Sequence, residues 1–353
     1  MAPFPYPRFL LALLAALAMG WVLARWLGPR GFMDVPSGRR NHEFPVPRTA
    51  GLAFWILVVA GHLGGILEFP LRPMEWAGLG VLVLVGFLDD RFGLRARWKA
   101  LAGLAVALII AVPGAMALVA MKPNLHLLGL HIPPLLPVGI LLLTILYWSI
   151  PHAFNLIDGA HGLAMGYALI VLGFLAAAGS PRPAAMGLLV GLLAFNWPRA
   201  KHFLGDCGSL GLGLLLALLA KKAVGATDPN LVLWLFAYPI VDTSLVVAIR
   251  LSQGRNLGEG DRSHLHHQWG DRFPGLRACV APLLWAQAAL CASAVVVRGA
   301  WWILPWTGAG LLLGQALYFY WRALNPRATL QALKMYEDPV TDHGESGTHN
   351  KLV

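Results

Sequence analysis

Five polar stretches of this sequence carry side chains that could bind a cation or a phosphate. The first is GFLDD, where an apolar run that begins near Ala77 ends on two adjacent carboxylates, Asp89 and Asp90. Paired carboxylates at a helix end can hold a divalent cation, or one can act as a base while the other binds metal. For the pair alone, a solvated helix end with Arg91 as its partner is the favoured alternative.

Two glycine-containing stretches have the composition of phosphate-binding loops. In GDCGSLGLG, the glycines resemble a helix N-terminus whose free backbone N–H groups bind an anion, and Asp206 could reach a cation on that anion. Close packing between helices explains the same glycines equally well. The stretch NLIDGAHG contains Asp158 and His161; it has the turn chemistry of Asp and Gly and could be only a connector.

The fourth polar stretch is the loop DVPSGRRNHEFPVPRTAG after the first apolar segment, and the fifth contains three histidines. One further acid lies within an apolar segment. The stretch DRSHLHHQ has no flanking Cys or Glu to complete a zinc set, so its histidines beside Arg262 indicate a phosphate clamp. Asp242 lies about two turns inside an apolar segment, where a carboxylate is costly and therefore functional by default. A buried hydrogen bond to a neighbouring helix is an equally good explanation of Asp242.

The composition places these stretches in a membrane protein. Of the 353 residues, 58% are hydrophobic and 12% charged, whereas soluble domains carry about 25% charged residues. The sequence therefore predicts an all-α integral membrane protein, a polytopic bundle of about 10–11 transmembrane helices in one domain over 1–324. Residues 325–353 are expected to form a disordered cytoplasmic tail. The predicted spans are 9–28, 50–67, 75–90, 100–120, 134–151, 162–178, 184–198, 209–222, 230–250, 279–298 and 300–322.

The distribution of charge predicts the orientation of the bundle. If the N-terminus lies outside, 20 of the 27 Lys and Arg residues fall in cytoplasmic loops or in the tail, as the positive-inside rule requires. Thirteen of the 17 acids fall on the same side, which that rule does not require. The polar side chains of five loops are thus expected at the same face of the membrane. This predicts an active site on the cytoplasmic side of the inner or plasma membrane.

Considered together, the five stretches describe a site for a metal-bound diphosphate at a membrane surface. Each of these features has a purely structural explanation when it is considered alone: the acids that could bind a cation, the free helix N-termini, and the Arg, Lys and His donors. Five such explanations would all have to hold at the same face of the membrane, which is much less likely than one shared site. The net charge of +10 fits the topological bias and attraction to anionic lipids or substrates. We find no nucleic-acid-binding motif, so no nucleic-acid partner is expected.

The sequence resembles the polyprenyl-phosphate N-acetylhexosamine-1-phosphate transferases, the superfamily that includes phospho-N-acetylmuramoyl-pentapeptide transferase. The resemblance runs from about Asp34 to His267 through motifs in the family's order. These are DVPSGRRNHEFPVPRTAG, GFLDDRFGLRARWK, FNLIDGAHGLAMG (similar to NxxDGxDGLA), NWPRAKHFLGDCGSLGLG (similar to NxPxAxxFxGDxGS) and DRSHLHHQ (similar to HxHH).

The resemblance implies an activity and its partners. Members transfer a sugar 1-phosphate from a UDP-sugar to the phosphate of a long polyprenol such as undecaprenyl phosphate, release UMP, and require Mg²⁺ or Mn²⁺. The product would start a lipid-linked envelope glycan, such as O-antigen, another lipopolysaccharide component or a cell-wall polymer. Membrane lipid is a further expected partner, and a homodimer is left open.

The resemblance also implies roles for individual residues. Asp206 matches the metal-binding aspartate, and Asp89 and Asp90 match the pair assigned to metal binding or to deprotonation of the lipid phosphate. We therefore predict Asp89, Asp90 and Asp206 as catalytic residues, with Asp90 and Asp206 as metal ligands. The predicted substrate-binding residues are Arg40, Arg48, Lys99, Asn155, Asp158, His161, Asn196, Arg262, His264, His266 and His267.

The sequence departs from the family pattern at two places. His161 stands where many members have the second acid of DGxDG, and TAG replaces a usual GG pair in the first loop. HLHH is closer to the branch that uses simple UDP-N-acetylhexosamines than to the peptidoglycan branch, so a UDP-N-acetylhexosamine donor is preferred. The alternatives are the pentapeptide transferase of peptidoglycan synthesis and a non-catalytic lipid-binding or transport relative.

Overall fold

The computed structural model of the chain describes most of its residues in helices. The described residues are 6–35, 44–121, 125–133, 135–225, 228–256, 258, 262–273, 277–297 and 299–325. Arg40, which was predicted to bind substrate, lies outside them, and so does the predicted tail apart from Asn325. The division of the chain into a transferase domain and a tail therefore stays a prediction.

The described residues form thirteen α-helices and two short antiparallel hairpins. The helices are α1 Tyr6–Trp26, α2 Ala50–Leu63, α3 Pro73–Phe92, α4 Ala96–Met121, α5 Leu136–Ile157, α6 Leu163–Ala177, α7 Pro183–Asn196, α8 Gly205–Ala220, α9 Pro229–Leu235, α10 Ala237–Ser252, α11 Leu265–Arg272, α12 Arg277–Ala292 and α13 Ile303–Leu324. The strands are β1 Met33–Asp34 paired with β2 Val46–Pro47, and β3 Leu125–Leu127 paired with β4 Leu130–Ile132.

Each of the eleven predicted apolar segments coincides with a helix, which confirms an all-α polytopic fold. The segment 230–250 is divided into α9 and α10, which meet at an angle of 72°. Among the described residues, five helices are long and apolar enough to cross a membrane, or six if that bent pair is one span. Several other helices, including α2 and α7 with 14 residues each, fall short of the roughly 20 residues that a perpendicular crossing needs. The count of 10–11 spans therefore stays a prediction.

Helix α8 is the centre of the bundle, because almost every one of its residues is buried. Its glycines allow the close approach of neighbouring backbones. A Cβ added at Gly51 of α2 would lie 2.2 Å from the backbone nitrogen of Gly208, and one at Gly213 would lie 2.7 Å from the Cα of Pro151 in α5. At Gly211 an added Cβ would lie 2.6 Å from the indole ring of Trp55. Helix packing thus accounts for Gly208, Gly211 and Gly213 of this stretch.

The chain order brings the ends of several helices together at one end of the bundle. Helices α3 and α4 are joined by a short turn at Gly93, whose φ of +69° suits glycine. The C-terminal end of α3 therefore lies beside the N-terminal end of α4, and α8 begins at the same level. Between α4 and α5, strands β3 and β4 form a small antiparallel hairpin.

Candidate active site

The centre of the site is an ion-paired cluster contributed by three helices. Lys99, on the first turn of α4, places its Nζ 3.1 Å from Oδ2 of Asp89 and 2.6 Å from Oδ2 of Asp206. Asp89 also caps the turn between α3 and α4, because its Oδ1 accepts a hydrogen bond from the Leu94 N–H at 2.7 Å. One ammonium group thus holds together two carboxylates that would otherwise repel each other.

Asp90 has a different role from its neighbour. Its two carboxylate oxygens accept hydrogen bonds from the backbone N–H groups of Asp206 and Cys207, each at 2.9 Å. These N–H groups belong to the first turn of α8, where a carboxylate is stabilised both by the unpaired donors and by the helix dipole. The prediction that this N-terminus is open to an anion is therefore wrong for these two N–H groups, because Asp90 occupies them.

The end of α5 supplies the next layer of the site. Asn155 donates from Nδ2 to Oγ of Ser209 at 2.9 Å, and Asp158 accepts a hydrogen bond from the backbone N–H of Gly205. Burial raises the pKa of Asp158 well above its usual range, and repulsion from Asp206 and Asp90 raises it further. The site thus brings four carboxyl groups close together, of which Lys99 pairs with two, while Arg48 lies near enough to act on Asp90 and Asp158. Such an excess of acids favours binding of additional positive charge.

The histidine stretch lies against the loop that follows α5. His264 is held by Asp242, since its Nδ1 lies 2.7 Å from Oδ2 of that fully buried carboxylate. The other Asp242 oxygen accepts from the Leu265 N–H at 2.6 Å and so begins α11. A Cβ added at Gly159 would lie 2.6 Å from Nε2 of His266. Asp242 therefore makes buried hydrogen bonds, which is one of the two explanations given for this acid in the sequence analysis. These bonds hold the histidine segment in place.

Two histidines of this stretch have unused polar atoms. Both ring nitrogens of His266 and Nδ1 of His267 are buried without a hydrogen-bond partner among the described residues. Burial, with the neighbouring histidines and Arg262 adding to it, lowers the pKa of His266 well below its usual range, and burial and Arg262 lower that of His267 to about 4. Buried polar atoms of this kind normally have a partner, so these nitrogens are candidates for contact with a ligand.

The predicted arginines are engaged with acids. Arg48 forms an ion pair with Asp34 across the β1–β2 hairpin. Arg262 binds Asp271 with two hydrogen bonds, one of them 3.0 Å from Nε to Oδ2. The sequence analysis gave no role to the side chain of Asp34 or Asp271, because an ion pair with an arginine can be identified only when the spatial neighbours are known.

Asn196 ties the loops around the site together. It is buried; its Oδ1 accepts from the Gly162 N–H and its Nδ2 donates to the His202 carbonyl at 2.6 Å. The His202 ring in turn lies 2.6 Å from Oγ1 of Thr49 through Nε2. Both amide atoms of Asn196 are thus used within the protein, which indicates a positioning role. Sequence reasoning missed His202 and Thr49, which are more than 150 residues apart in the chain.

His161 faces the loop between α7 and α8. Its Nδ1 lies 3.3 Å from the Ala200 backbone nitrogen and 3.4 Å from the Pro198 carbonyl oxygen. These contacts belong to the stretch NWPRAKHF, which leads directly to the carboxylate cluster. The structure therefore brings the DGAHG loop, the histidine stretch and the acids of α3 and α8 into one region.

Comparison with known proteins identifies several relatives. The family model described as glycosyl transferase family 4 matches residues 74–223. The chain is 32% identical, over 74% of its length and 75% of the relative's, to a probable undecaprenyl-phosphate N-acetylglucosaminyl 1-phosphate transferase of Bacillus subtilis. It is 31% identical, over 73% of each chain, to decaprenyl-phosphate N-acetylglucosaminephosphotransferase of Mycolicibacterium smegmatis. It is 27% identical, over 67% and 68%, to the undecaprenyl-phosphate alpha-N-acetylglucosaminyl 1-phosphate transferase of Escherichia coli K12.

Proposed function

This chain belongs to glycosyl transferase family 4, and we propose that it transfers an N-acetylhexosamine 1-phosphate from a UDP-sugar to undecaprenyl phosphate at the cytoplasmic face of the membrane. It is an enzyme, and its acceptor is a polyprenyl phosphate. In this reaction an oxygen of the acceptor phosphate attacks the sugar-bearing phosphorus of the donor. The bond between the two donor phosphates breaks, and UMP leaves.

The observation that carries the proposal is the cluster of Asp89, Lys99 and Asp206. Three helices present two carboxylates and one ammonium at one end of the bundle, beside histidine rings with unused nitrogens. Phosphoryl transfer needs a site that positions two anionic phosphates and stabilises their charge in the transition state. The acceptor phosphate has a second pKa near 6 and is therefore mostly a dianion at neutral pH, so it needs little help from a base.

The donor set of the cluster fits the divalent cation that the family resemblance implies. Among the described residues, no group of three or more His, Cys, Asp and Glu side chains is arranged to hold a metal. Mg²⁺, however, commonly uses one or two carboxylates and takes its other ligands from water and substrate phosphates. We propose Asp206 with Asp89 as these carboxylates, rather than Asp206 with Asp90, because Asp89 and Asp206 share Lys99 and therefore lie on either side of one ammonium group, whereas Asp90 is bound to the backbone N–H groups of α8. When bound, the ion would neutralise charge on the diphosphate.

Lys99 would keep the two carboxylates in place and donate to a phosphate oxygen when substrate binds. Its Nζ has three donors, of which two are directed to Asp89 and Asp206. The third could contact a phosphate without breaking either bond. His266 and His267 would approach the other end of the donor from α11, as the neutral rings that their lowered pKa values imply at pH 7.

Two alternatives to this proposal were given in the sequence analysis. The pentapeptide transferase of peptidoglycan synthesis would use a different donor, and a lipid-binding or transport relative would not catalyse transfer. The matched relatives are named for N-acetylglucosamine 1-phosphate transfer, which supports a UDP-N-acetylhexosamine over the UDP-muramoyl-pentapeptide donor. A transporter would place its ionisable groups near the bilayer midplane, whereas this cluster lies at the helix ends. The particular hexosamine, the envelope glycan and the predicted homodimer stay predictions.

The proposal is tested by UMP release from purified protein supplied with undecaprenyl phosphate. UDP-N-acetylglucosamine, other UDP-N-acetylhexosamines and UDP-N-acetylmuramoyl-pentapeptide are compared, each with Mg²⁺ and with excess chelator. We expect Mg²⁺-dependent release with a hexosamine donor. Release only with the pentapeptide donor would move the chain to the peptidoglycan branch, and no release with any donor would favour the non-catalytic alternative.

The orientation of the bundle gives a separate prediction. Single cysteines at Pro181 and Asn256, in a background without the native cysteines, should react with a membrane-impermeant thiol reagent from outside and from the cytoplasm, respectively. Both positions are exposed, whereas Ser263 in the same cytoplasmic segment is buried and unsuitable. Reaction of both cysteines from the same side would contradict the proposed topology.

His161 is expected to matter through its charge. His161→Asp should lower kcat/KM at least tenfold, about 1.4 kcal/mol of transition-state stabilisation, because a carboxylate would replace a neutral or protonated ring near phosphate. A carboxylate can still accept the hydrogen bond from the Ala200 N–H, so the local fold should be kept. The measurement is kcat/KM for several UDP-N-acetylhexosamines.

His161→Asn is the neutral control for this substitution. If His161→Asp is tolerated and changes donor preference, the position contacts the nucleotide or sugar as the family's acid is expected to do. If both variants match the parent on every donor, His161 is only a turn residue and the predicted donor role is wrong.

A further inference from the structure

A second charged cluster lies at the end of the bundle opposite the active site. Arg72 precedes α3, Glu75 lies in its first turn, and Lys221 and Lys222 begin a π-helical turn, Lys221–Gly225, that continues α8. Lys221 follows Asp206 by 15 residues along α8, which corresponds to about 22 Å. This cluster therefore lies most of a bilayer core away from the carboxylates of the active site.

The cluster contains more positive than negative charge. Oε2 of Glu75 accepts the Arg72 backbone N–H at 2.7 Å and lies 2.8 Å from Nζ of Lys222. Among the described residues, the Arg72 side chain donates a hydrogen bond to the Pro113 carbonyl at 3.4 Å, and neither Arg72 nor Lys221 forms an ion pair with a carboxylate. One acid thus serves three basic residues. These three are among the seven that the topology places on the side where basic residues are depleted.

An apolar groove opens directly beside these charges. Its cavity volume is about 290 Å³, and it is lined by Arg72, Pro73, Met74, Glu75, Ile110 and Pro113. This volume is near the lower end of the range of about 300–1,000 Å³ that is typical of small-molecule sites. It would hold the upper part of one acyl chain. The groove lies between α3 and α4, and Arg72 and Glu75 are the charged residues at its edge.

We propose that this cluster and groove bind an anionic phospholipid of the leaflet opposite the active site. The headgroup phosphate would lie between Arg72 and Lys221, and an acyl chain would follow the apolar lining past Met74 and Ile110. Charge complementarity selects an anionic lipid, since the cluster has two uncompensated positive charges at a membrane surface. The site is separate from the catalytic cluster and does not depend on the proposed activity.

Native mass spectrometry of the full-length protein tests this proposal with phosphatidylglycerol and phosphatidylcholine as probes. We expect one phosphatidylglycerol to bind in preference to phosphatidylcholine of the same chain length. Arg72→Gln and Lys221→Gln should each weaken that binding about fivefold, the effect of one basic side chain near an anionic headgroup. Arg8→Gln is the matched control, because Arg8 lies at the same end of the bundle on α1 and does not line the groove.

A substitution that keeps all charges tests the groove itself. Met74 is exposed, so Met74→Trp should fill part of the groove without disturbing the core, and it should weaken phosphatidylglycerol binding. The melting temperature should be unchanged in all four variants, which shows that they are folded, and UMP release should be unchanged because the groove lies far from the carboxylate cluster. Soluble glycerol 1-phosphate should compete only weakly, since it lacks the acyl chain.

Three outcomes would overturn the lipid site. Equal binding of phosphatidylglycerol and phosphatidylcholine would show that the basic side chains do not select an anionic headgroup. An equal loss in Arg8→Gln would indicate a general surface effect, and normal binding in Met74→Trp would exclude the groove. Competition by glycerol 1-phosphate at the affinity of the lipid would replace the lipid with a soluble phosphate ligand.

Discussion

Asp206→Asn is expected to reduce transfer at least about a thousandfold, or roughly 4 kcal/mol of transition-state stabilisation. The carboxylate lies in the first turn of α8, 2.6 Å from the Lys99 ammonium, and is proposed to hold the cation that neutralises the diphosphate. An amide keeps the shape of the side chain but removes the charge that a hard cation requires. UMP release over a range of Mg²⁺ concentrations measures the effect.

Asp228→Asn provides the control for this change. Asp228 accepts the Asn230 N–H at the start of α9, where asparagine caps a helix as well as aspartate does. The control should therefore keep both activity and thermal stability. Near-normal turnover of Asp206→Asn at ordinary Mg²⁺ would remove Asp206 from the site. Recovery only at high Mg²⁺ would instead support its role as a ligand.

Gly86→Ala should separate α3 from α8 and abolish most of the activity. An added Cβ would lie 2.4 Å from the carbonyl carbon and oxygen of Asp206 and 2.5 Å from the Cys207 nitrogen, which are all backbone atoms that cannot rotate away. Asp90 lies one turn further along α3, so the same shift would pull its oxygens from the N-terminus of α8. We expect a loss of about 1–3 kcal/mol in stability, as is typical of overpacking, and at least a hundredfold loss of turnover, about 3 kcal/mol.

Gly80→Ala is the matched control on the same helix, because an added Cβ there meets nothing within 4 Å. It should keep full activity and gain stability, since alanine is favoured over glycine in a helix by about 0.5–1 kcal/mol. The melting temperature and UMP release of both variants are compared in one detergent. If Gly86→Ala equals the parent in both measurements, the close contact between α3 and α8 does not support the site.

The different roles of the two adjacent aspartates follow from their positions on α3. Successive residues on a helix point about 100° apart, so the Asp89 and Asp90 carboxylates meet different groups. Asp89 faces Lys99 and the turn to α4, whereas Asp90 faces the backbone of α8. Sequence reasoning treated the pair as one unit and chose Asp90 as the metal ligand. We propose Asp89 instead, because it shares Lys99 with Asp206, the other proposed ligand.

The features that the sequence alone determined are those that depend on local composition and order. Apolar runs near membrane length require helices, because a backbone in lipid must satisfy its own hydrogen bonds. This argument located all eleven segments and the all-α class. Loops rich in basic residues alternate with loops that have few, and this alternation predicted that the polar side chains lie at one face of the membrane. The order of five motifs indicated the family. None of these inferences needs a distance between remote residues.

Tertiary structure decided which polar groups remain available to a ligand. Asp90 and Asn196 are used within the protein, while His266 and His267 keep buried nitrogens without partners in the described part of the chain. The ion pair of Lys99 with Asp206 joins residues that are 107 positions apart in the chain. The sequence likewise gives no sign of the break between α9 and α10, because the two helices lie in one continuous apolar run. Hydrogen bonds are satisfied by whichever group is nearest in space, and the proximity of groups on different helices is set by packing around α8 rather than by any local pattern.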